Sequence, residues 1–480
     1  MRIAGLGGAT GHALHYTDRY DRGEAFRPSV RGALALCYLP GTMLAFDEMR
    51  AGVAPDAEHA ARTVRAVRTS LATVPFYAKQ ALTAPAEDAP LEGALAGLPL
   101  LTPAKIRPTL PKAWLPEGRD AKAELASGKI AVVEIGLAES RVRLLWDGAW
   151  WRAQEARALA VSPRAAAALD GEQGPYRDAV LWVPERGTGS CGAGDPEYED
   201  RLEGPRLHLN SRQDPTFWSE SVMTRMLDEL SRHATVGLLA DPFYLDVLAR
   251  HAAVLGRRLD VRGFVGLTRA LTTAAHREAL ARVVAPGKVV QVYGAREAGL
   301  MFVEGDDGKL HHAPFGTHVE LLRAKVPTPG ADDVALVVVT TLDREVQPLV
   351  RYVIGDLVSI AAGPSRFTTV APLASVEGKL DDALLRPDGA LVTPAAVDRA
   401  VAAAGPRAYQ VVQTGTTDVA VEVVGGSPDA VRDALAPLLI GMNVTARAAT
   451  AIAIEPNGKY RVSRRQLPTA LADLFEGVGP

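Results

Sequence analysis

Cysteine is almost absent from the chain: among 480 residues there are only Cys37 and Cys191. Two thiols cannot build a disulfide framework or a cysteine-based zinc site, which suits a reducing cytoplasm. Neither sign of charge is in excess, with 53 Lys and Arg against 56 Asp and Glu and a net charge of -3. There is thus no basic field to neutralise a phosphodiester backbone, and no nucleic-acid partner is expected. Long apolar runs are missing too. Val334 to Leu342 and the Pro- and Gly-broken stretch Ala33 to Phe46 fall well short of the roughly 18 residues a membrane span needs, so no membrane partner is expected. The opening MRIAGLGGATGHALHY has no apolar core of the kind a secretory signal requires.

What is present is an ordinary globular composition, 48% hydrophobic and 23% charged, with length enough for two or three domains at about 150 residues each. Ala61, Val64, Val67, Leu71 and Val74 recur at three- and four-residue spacing with Arg62, Arg65 and Arg68 between them, the pattern of an amphipathic helix that Pro75 ends. Further on, apolar runs at Ala179 to Val183, Val236 to Leu239 and Val289 to Tyr293 read as strands, and helical patterns lie at Val222 to Arg232 and Phe243 to His251. That alternation predicts an α/β body with buried sheets. Beyond residue 380 the pattern tightens. Thr393-Pro394 and Ser427-Pro428 read as helix starts, and apolar runs at Tyr409 to Val412, Val419 to Val424 and Val444 to Ile454 give a small α+β unit. The expected organisation is a large multi-sheet α/β domain over 1–380 and a small α+β domain over 381–480, joined by a hinge.

The first glycine cluster, Gly5, Gly7, Gly8 and Gly11, lacks the preceding strand that a dinucleotide fingerprint needs and is read as a plain N-terminus. Four later motifs carry more chemistry. In VQVYGAREAGL a strand turns at Gly294 and presents Glu297, a place where a carboxylate can meet Mg²⁺ at a sheet edge. In PLVRYVIGDLV, Gly355 permits a turn before Asp356, whose carboxylate can accept two ribose hydroxyls. VEGKLDDALLRPDG and EPNGKYRV follow, the second with an Asn457-Gly458 turn that projects Lys459. Each alone also fits a solvated turn.

In this order and spacing, the four motifs resemble the ANL superfamily of adenylate-forming enzymes, and more narrowly the phenylacetate-CoA ligase family. VPFYAKQ at Val74 to Gln80 and GLPLLTPAKIR at Gly97 to Arg107 are similar to that family's opening helix and the loop after it. The resemblance implies an acid-thiol ligase: a small carboxylic acid, aromatic or related, attacks ATP to give acyl-AMP and pyrophosphate, then CoA or an acyl carrier protein thiol displaces AMP. It implies ATP and Mg²⁺ as cofactors and CoA as a substrate. It also implies that Glu297 helps hold Mg²⁺, that Asp356 binds the ribose, that Tyr293 and Gly294 line the adenine site, and that Arg351 contacts ribose or phosphate. Lys459 would stabilise charge during adenylation. Asp381 would be the hinge, with Lys379 where the family usually has arginine.

One departure from the family is large. Read back from Trp146, the family's Thr/Ser/Gly-rich phosphate loop becomes Glu134-Ile135-Gly136-Leu137-Ala138-Glu139-Ser140-Arg141. Gly136 remains, but the threonine hydroxyls are gone and Glu139 replaces the second glycine. A carboxylate ~5 Å from a phosphate charge costs roughly 3 kcal/mol at an effective dielectric of about 20. This departure keeps two alternatives open, an ATP-independent acyltransferase and a non-catalytic binding protein on the same scaffold. The glycine-rich stretch Arg186 to Pro196 lacks the Gly-Lys-Ser/Thr ending of a Walker loop. Finally, His311 and His312 would face opposite sides of a strand and so would not share a metal.

Overall fold

The structure is a computed structural model that describes residues 56–480 except 136–141, 173, 184–195, 213, 361–371, 456–457, 469 and 479–480. The first glycine cluster, Cys37, Cys191, Gly136, Glu139, Asn457 and nearly all of the glycine-rich stretch lie outside the described residues. Helix α1 (Asp56–Thr73) forms as its periodicity predicts, burying Val64, Val67 and Leu71. Pro75 does more than stop it. With its N–H absent and φ fixed, Pro75 opens the next short helix, Pro75–Ala78.

Strands β1 (Ala131–Ile135) and β2 (Val142–Trp146) pair antiparallel, Ile135 opposite Val142. Asp147 then caps helix α2 (Gly148–Leu159) by accepting from the N–H groups of Ala149 and Trp150.

Among the described residues the central sheet has twelve strands. Its first half contains β3 (Asp178–Leu181), β4 (Leu202–Glu203), β5 (Arg206–His208), β6 (Gly237–Ala240), β7 (Phe264–Leu267) and β8 (Val289–Ala295). Here β5, β3, β6, β7 and β8 run parallel in that spatial order, and every residue of β3, β6 and β7 is buried. Continuous burial is what a parallel sheet covered on both faces produces. Helices α3 (Glu220–Arg232), α4 (Pro242–Val254) and α5 (Ala274–Val283) provide the crossovers. The second half is antiparallel: β9 (Gly299–Glu304), β10 (Leu310–His312), β11 (Thr317–Arg323), β12 (Val334–Thr341), β13 (Tyr352–Ile360) and β14 (Leu373–Lys379). The change of direction falls at the turn from β8 to β9, where the Tyr-Gly-x-x-Glu motif lies.

After Lys379 the chain passes through the turn Leu380–Asp382 and a small hairpin, β15 (Leu384–Leu385) and β16 (Leu391–Val392). It then forms a four-stranded sheet with β17 (Ala408–Gln413), β18 (Asp418–Val424), β19 (Asn443–Ala448) and β20 (Ser463–Arg465), in the order β19-β18-β17-β20. Helices α6 (Pro394–Val401) and α7 (Pro428–Leu435) begin at the Thr-Pro and Ser-Pro signals, Thr393 Oγ1 accepting from Ala396 N and Ser427 Oγ from Ala430 N. They pack on the sheet around Val401, Tyr409, Val411, Val421 and Leu435. The run Val444 to Ile454 is a strand only as far as Ala448, and β20 was not foreseen. Among the described residues, no helix is long and apolar enough to cross a membrane.

Candidate active site

Most of the motif residues converge where the parallel half of the large sheet meets the antiparallel half, beneath the Lys459 turn. At the end of β8 the register shifts between Tyr293 and Gly294. A Cβ on Gly294 would stand 2.5 Å from the Gly299 carbonyl, so glycine is required there by the close approach of β9. Gly294 thus has a packing requirement at the position where a nucleotide contact is expected. The turn places Glu297 at 9% exposure, with the Tyr352 hydroxyl 3.5 Å from its Oε1. Arg344 donates to the Glu297 carbonyl and, at 3.0 Å, to the Leu145 carbonyl. Through Arg344 the Glu297 turn is tied to β2, which leads out of the 136–141 segment. Burial raises the Glu297 carboxyl above the usual range, while the Lys379 and Lys459 ammonium groups draw it back and Asp356 pushes it further up.

Asp356 follows Gly355, whose φ of 85 explains the glycine. Asp356 and Lys379 are register partners on β13 and β14, and the Lys379 ammonium lies 3.3 Å from Asp356 Oδ1. On the other oxygen the Tyr293 hydroxyl donates at 3.1 Å. Asp356 holds the Lys379 ammonium above its ordinary pKa. Tyr293 is itself buried, stacked on Phe302 with ring centroids 5.9 Å apart. In this arrangement the tyrosine fixes the Asp356 carboxylate.

Lys459 comes from the other sheet. Its turn closes through Glu455 N to Lys459 O at 2.9 Å and Gly458 N to Glu455 O at 2.7 Å. The turn docks on the first turn of α4: the Tyr244 hydroxyl donates to the Gly458 carbonyl at 3.2 Å, and Phe243 stacks on Tyr460 at 5.3 Å. Lys459 as a residue is half-buried. Desolvation of its ammonium, reinforced by Lys379, pushes it down to about 8, while Asp241 and Asp356 oppose the shift.

Sequence reasoning missed Asp241. It is 2% exposed, caps α4 by accepting from Phe243 N at 3.0 Å, and is pushed up to about 6 by burial, with Lys459 and Arg269 opposing. Its signal was the Asp-Pro pair at a helix start. Arg269 was missed as well. It has φ 73 and its guanidinium carbon stands 3.7 Å from the Trp182 ring centroid.

Three expected site residues lie elsewhere. Arg351 does not join the cluster: its guanidinium is buried on Glu320, with contacts at 3.0 and 3.2 Å, and on the Leu98 carbonyl. A buried arginine forked onto a carboxylate is held in the interior in this conformation. Asp381 is exposed in the turn after Lys379, whereas its neighbour Asp382 holds Arg461. Glu134 is exposed on β1, in register with Arg143. As expected, His311 and His312 diverge, His311 to Asp307 at 2.8 Å and His312 to a half-buried position beside His59 and Phe302. Among the described residues, no group of three or more His, Cys, Asp or Glu could hold a metal ion. A single buried carboxylate such as Glu297 still fits Mg²⁺, which takes one or two protein carboxylates and completes its shell with phosphates and water.

No family model and no curated protein matches the sequence. Solved structures do. A 2-hydroxyisobutyryl-CoA ligase in the postadenylation state, in complex with R3-HIB-AMP, aligns with a TM-score of 0.58 at 16% identity, over 85% of this chain and 90% of that chain. The same ligase in an open conformation with 2-HIB-AMP and CoA aligns at 0.51, also at 16% identity, over 86% and 91%. The likeness establishes the fold, a mixed α/β architecture shared over most of both chains.

Proposed function

We propose that the chain activates a small carboxylic acid as its acyl-adenylate and passes the acyl group to a thiol, of CoA or of an acyl carrier protein, as phenylacetate-CoA ligases do. The observation that carries this reading is the grouping of Glu297, Asp356 and Lys379 where the two halves of the large sheet meet, near enough to Lys459 for the charges to act on one another. Two buried carboxylates held beside ammonium groups, Glu297 and Asp356, are expensive unless a charged ligand uses them. The ligase that shares the fold is one solved with acyl-AMP and CoA, which supports the same chemistry here.

In this reading Asp356, held by Tyr293, accepts the ribose hydroxyls. Glu297 would hold Mg²⁺, whose contribution when bound is neutralisation of phosphate charge. Lys459 is largely protonated at neutral pH and places its cation on the α-phosphate as the acid attacks; in a dry site such a contact contributes several kcal/mol. Residues 1–380 and 381–480 form the two moving parts, with the hinge at Lys379 to Asp381. Rotation there withdraws Lys459 and admits the thiol.

The test is ATP binding by calorimetry with Mg²⁺ present, followed by pyrophosphate exchange over a panel of aryl and hydroxy acids. Acid-dependent exchange is the expected result. The loss of the loop hydroxyls, with Glu139 in place of the second glycine and Glu134 beside it, favours a second reading, an ATP-independent acyltransferase or a binding protein, and absence of binding at millimolar ATP would select it.

A further inference from the structure

Among the contacts between the small sheet and the large domain is a buried carboxylate to which the adenylation reading gives no task. Asp398 lies on α6 and is 8% exposed. Its Oδ2 accepts from the backbone N–H of Ala274, the first residue of α5, at 2.8 Å, and its Oδ1 accepts from the Tyr409 hydroxyl at 2.8 Å. Helix α5 does not need this contact to form, because its cap is local. Thr273 Oγ1 accepts from His276 N and His276 Nδ1 from Thr273 N, both at 3.3 Å. Asp398 adds a further acceptor, supplied by the small domain, at the positive end of a helix of the large one. Leu271, just before that cap, packs against the apolar cluster of the small sheet, so an apolar contact flanks the polar one. From Asp398 the contacts run on to Lys459. Tyr409 sits on β17, and its backbone is held by Tyr460, whose hydroxyl donates to the Tyr409 carbonyl and accepts from Tyr409 N at 3.2 Å. Tyr460 follows Lys459 in the chain. Its ring, stacked on Phe243 of α4, stands edge-on to His276 of α5 with centroids 6.2 Å apart. Hydrogen bonds and ring contacts through Asp398, Tyr409 and Tyr460 thus join the first turns of α4 and α5 to the Lys459 turn.

We infer that Asp398 is a positioning residue: seated on the N-terminus of α5, its carboxylate fixes the orientation in which the small sheet presents Lys459. The inference rests on the adenylation reading for the use made of that orientation. A hydrogen bond to a buried carboxylate is among the strong ones. Rotation of the small domain about Lys379 to Asp381 would break the bond to Ala274 and keep the one to Tyr409, which travels with Asp398. The Ala274 contact therefore belongs to this arrangement alone, and its loss shifts the population away from it.

The experiment compares the full chain with Asp398→Ala, Asp398→Asn and Tyr409→Phe in three measurements. These are acid-dependent pyrophosphate exchange, thioester formation with CoA from the synthetic adenylate of the acid that exchanges fastest, and amide hydrogen exchange in peptides that contain Ala274 and Gly458. Loss of both carboxylate contacts is expected to slow pyrophosphate exchange about tenfold to a hundredfold in Asp398→Ala and to leave the thioester half-reaction at or above the parental rate. Asparagine keeps an acceptor for Ala274 N and an amide for the Tyr409 oxygen, so Asp398→Asn should recover to within about fivefold of the parent. In Asp398→Ala the amides of Ala274 and of the Lys459 turn should both exchange about tenfold faster. Tyr409→Phe keeps the ring and drops the hydroxyl, and its expected loss of about fivefold in pyrophosphate exchange carries the test even where Asp398→Ala does not fold. Hydrogen exchange that quickens at Ala274 alone, or equal loss in both half-reactions, makes Asp398 a local structural group and overturns the inference. Pyrophosphate exchange at the parental rate in Asp398→Ala overturns it too and leaves the adenylation reading standing. A parent without acid-dependent exchange sinks that reading; faster hydrogen exchange at both places then supports the fixed orientation, and its absence overturns it.

Discussion

At the scale of single residues, Asp356 and Lys459 should separate by half-reaction. Asp356 meets a group present in substrate and transition state alike, whereas Lys459 acts on charge that develops during adenylation. Asp356→Ala is therefore expected to weaken ATP binding more than Lys459→Ala does. Lys459→Ala should slow acyl-AMP formation by a hundredfold or more, on the order of a lost transition-state donor, and spare thioester formation from synthetic acyl-AMP. Equal loss of both half-reactions would remove the role. With its ammonium held near 8, Lys459 loses its proton as pH rises through that value, so the adenylation rate should fall on the alkaline side of pH 8 before bound phosphate is allowed for. The buried histidines make the opposite limb visible in stability. His318 Nδ1 lies 3.4 Å from His59 Nε2, and burial holds His312 down to about 3 and His318 well below its ordinary value. Below pH 6.5 the unfolded chain takes up protons that these two cannot, so stability falls with pH by about 1.4 kcal/mol per unit for each. Asp241 and Asp382, each raised to about 6, oppose this between pH 6 and the ordinary aspartate value. Their folded forms bind protons first. His318→Gln should recover about 2 kcal/mol of the loss between pH 7 and pH 5 in urea unfolding, and an unchanged pH dependence would refute the neutral cluster.

At the scale of elements, legibility followed how local the determinant is. The helix starts at Thr393-Pro394 and Ser427-Pro428 were readable because a cap and a proline act within one turn. The strands β3, β6 and β8 were readable as apolar runs. Strands β5 and β20 were not, since three residues such as Ser463–Arg465 carry no period, and β20 exists only because Val462 and its neighbours add to β17 in parallel. The site divided the same way. Glu297, Asp356 and Lys459 lie on motifs, whereas Arg269 and Asp241 join them through sheet order, which a linear pattern does not express. The pairing of Arg351 with Glu320 was not legible, because Glu320 sits on β11, outside any motif. The two caps give a direct comparison. Ser427→Ala removes one exposed cap and should cost about 1 kcal/mol. Thr393 also donates to Glu377, a carboxylate 0% exposed and paired with Arg399, so Thr393→Ala should cost about 2 to 3 kcal/mol. Equal melting shifts for the two variants would show that the Thr393 hydroxyl acts as a cap alone.

At the scale of the whole molecule, the small sheet is attached to the large one at both ends of its chain. On the entry side, Gly378 has φ 105 and packs under Pro394, Lys379 pairs with Asp356, and Ala383 and Leu384 are fully buried. The proposed hinge is therefore packed in this conformation. On the exit side, the short helix Leu471–Leu474 returns to the edge of β11, where Lys325 N donates to the Leu474 carbonyl at 2.8 Å and Glu476 N to the Arg323 carbonyl at 2.9 Å. Phe475 is 0% exposed among Leu322, Leu336, Leu380 and Leu391, so one side chain bridges the large sheet, the turn after Lys379 and the hairpin beyond it. If residues 381–480 rotate about the hinge, this plug must leave or act as a tether. Phe475→Ala removes a buried aromatic at about 3 to 5 kcal/mol, more than enough to shift a two-state equilibrium by a hundredfold. The expected outcome is that limited proteolysis, slow in the parent, cuts rapidly between Lys379 and Arg386 in the variant, leaving a large and a small fragment that each resist further digestion. Adenylation should fall relative to thioester formation from synthetic acyl-AMP, because the population that holds Lys459 against Tyr244 shrinks. Cleavage that stays slow while the melting temperature drops would mean that Phe475 stabilises one rigid body, and the hinge at Lys379 to Asp381 would have to be abandoned.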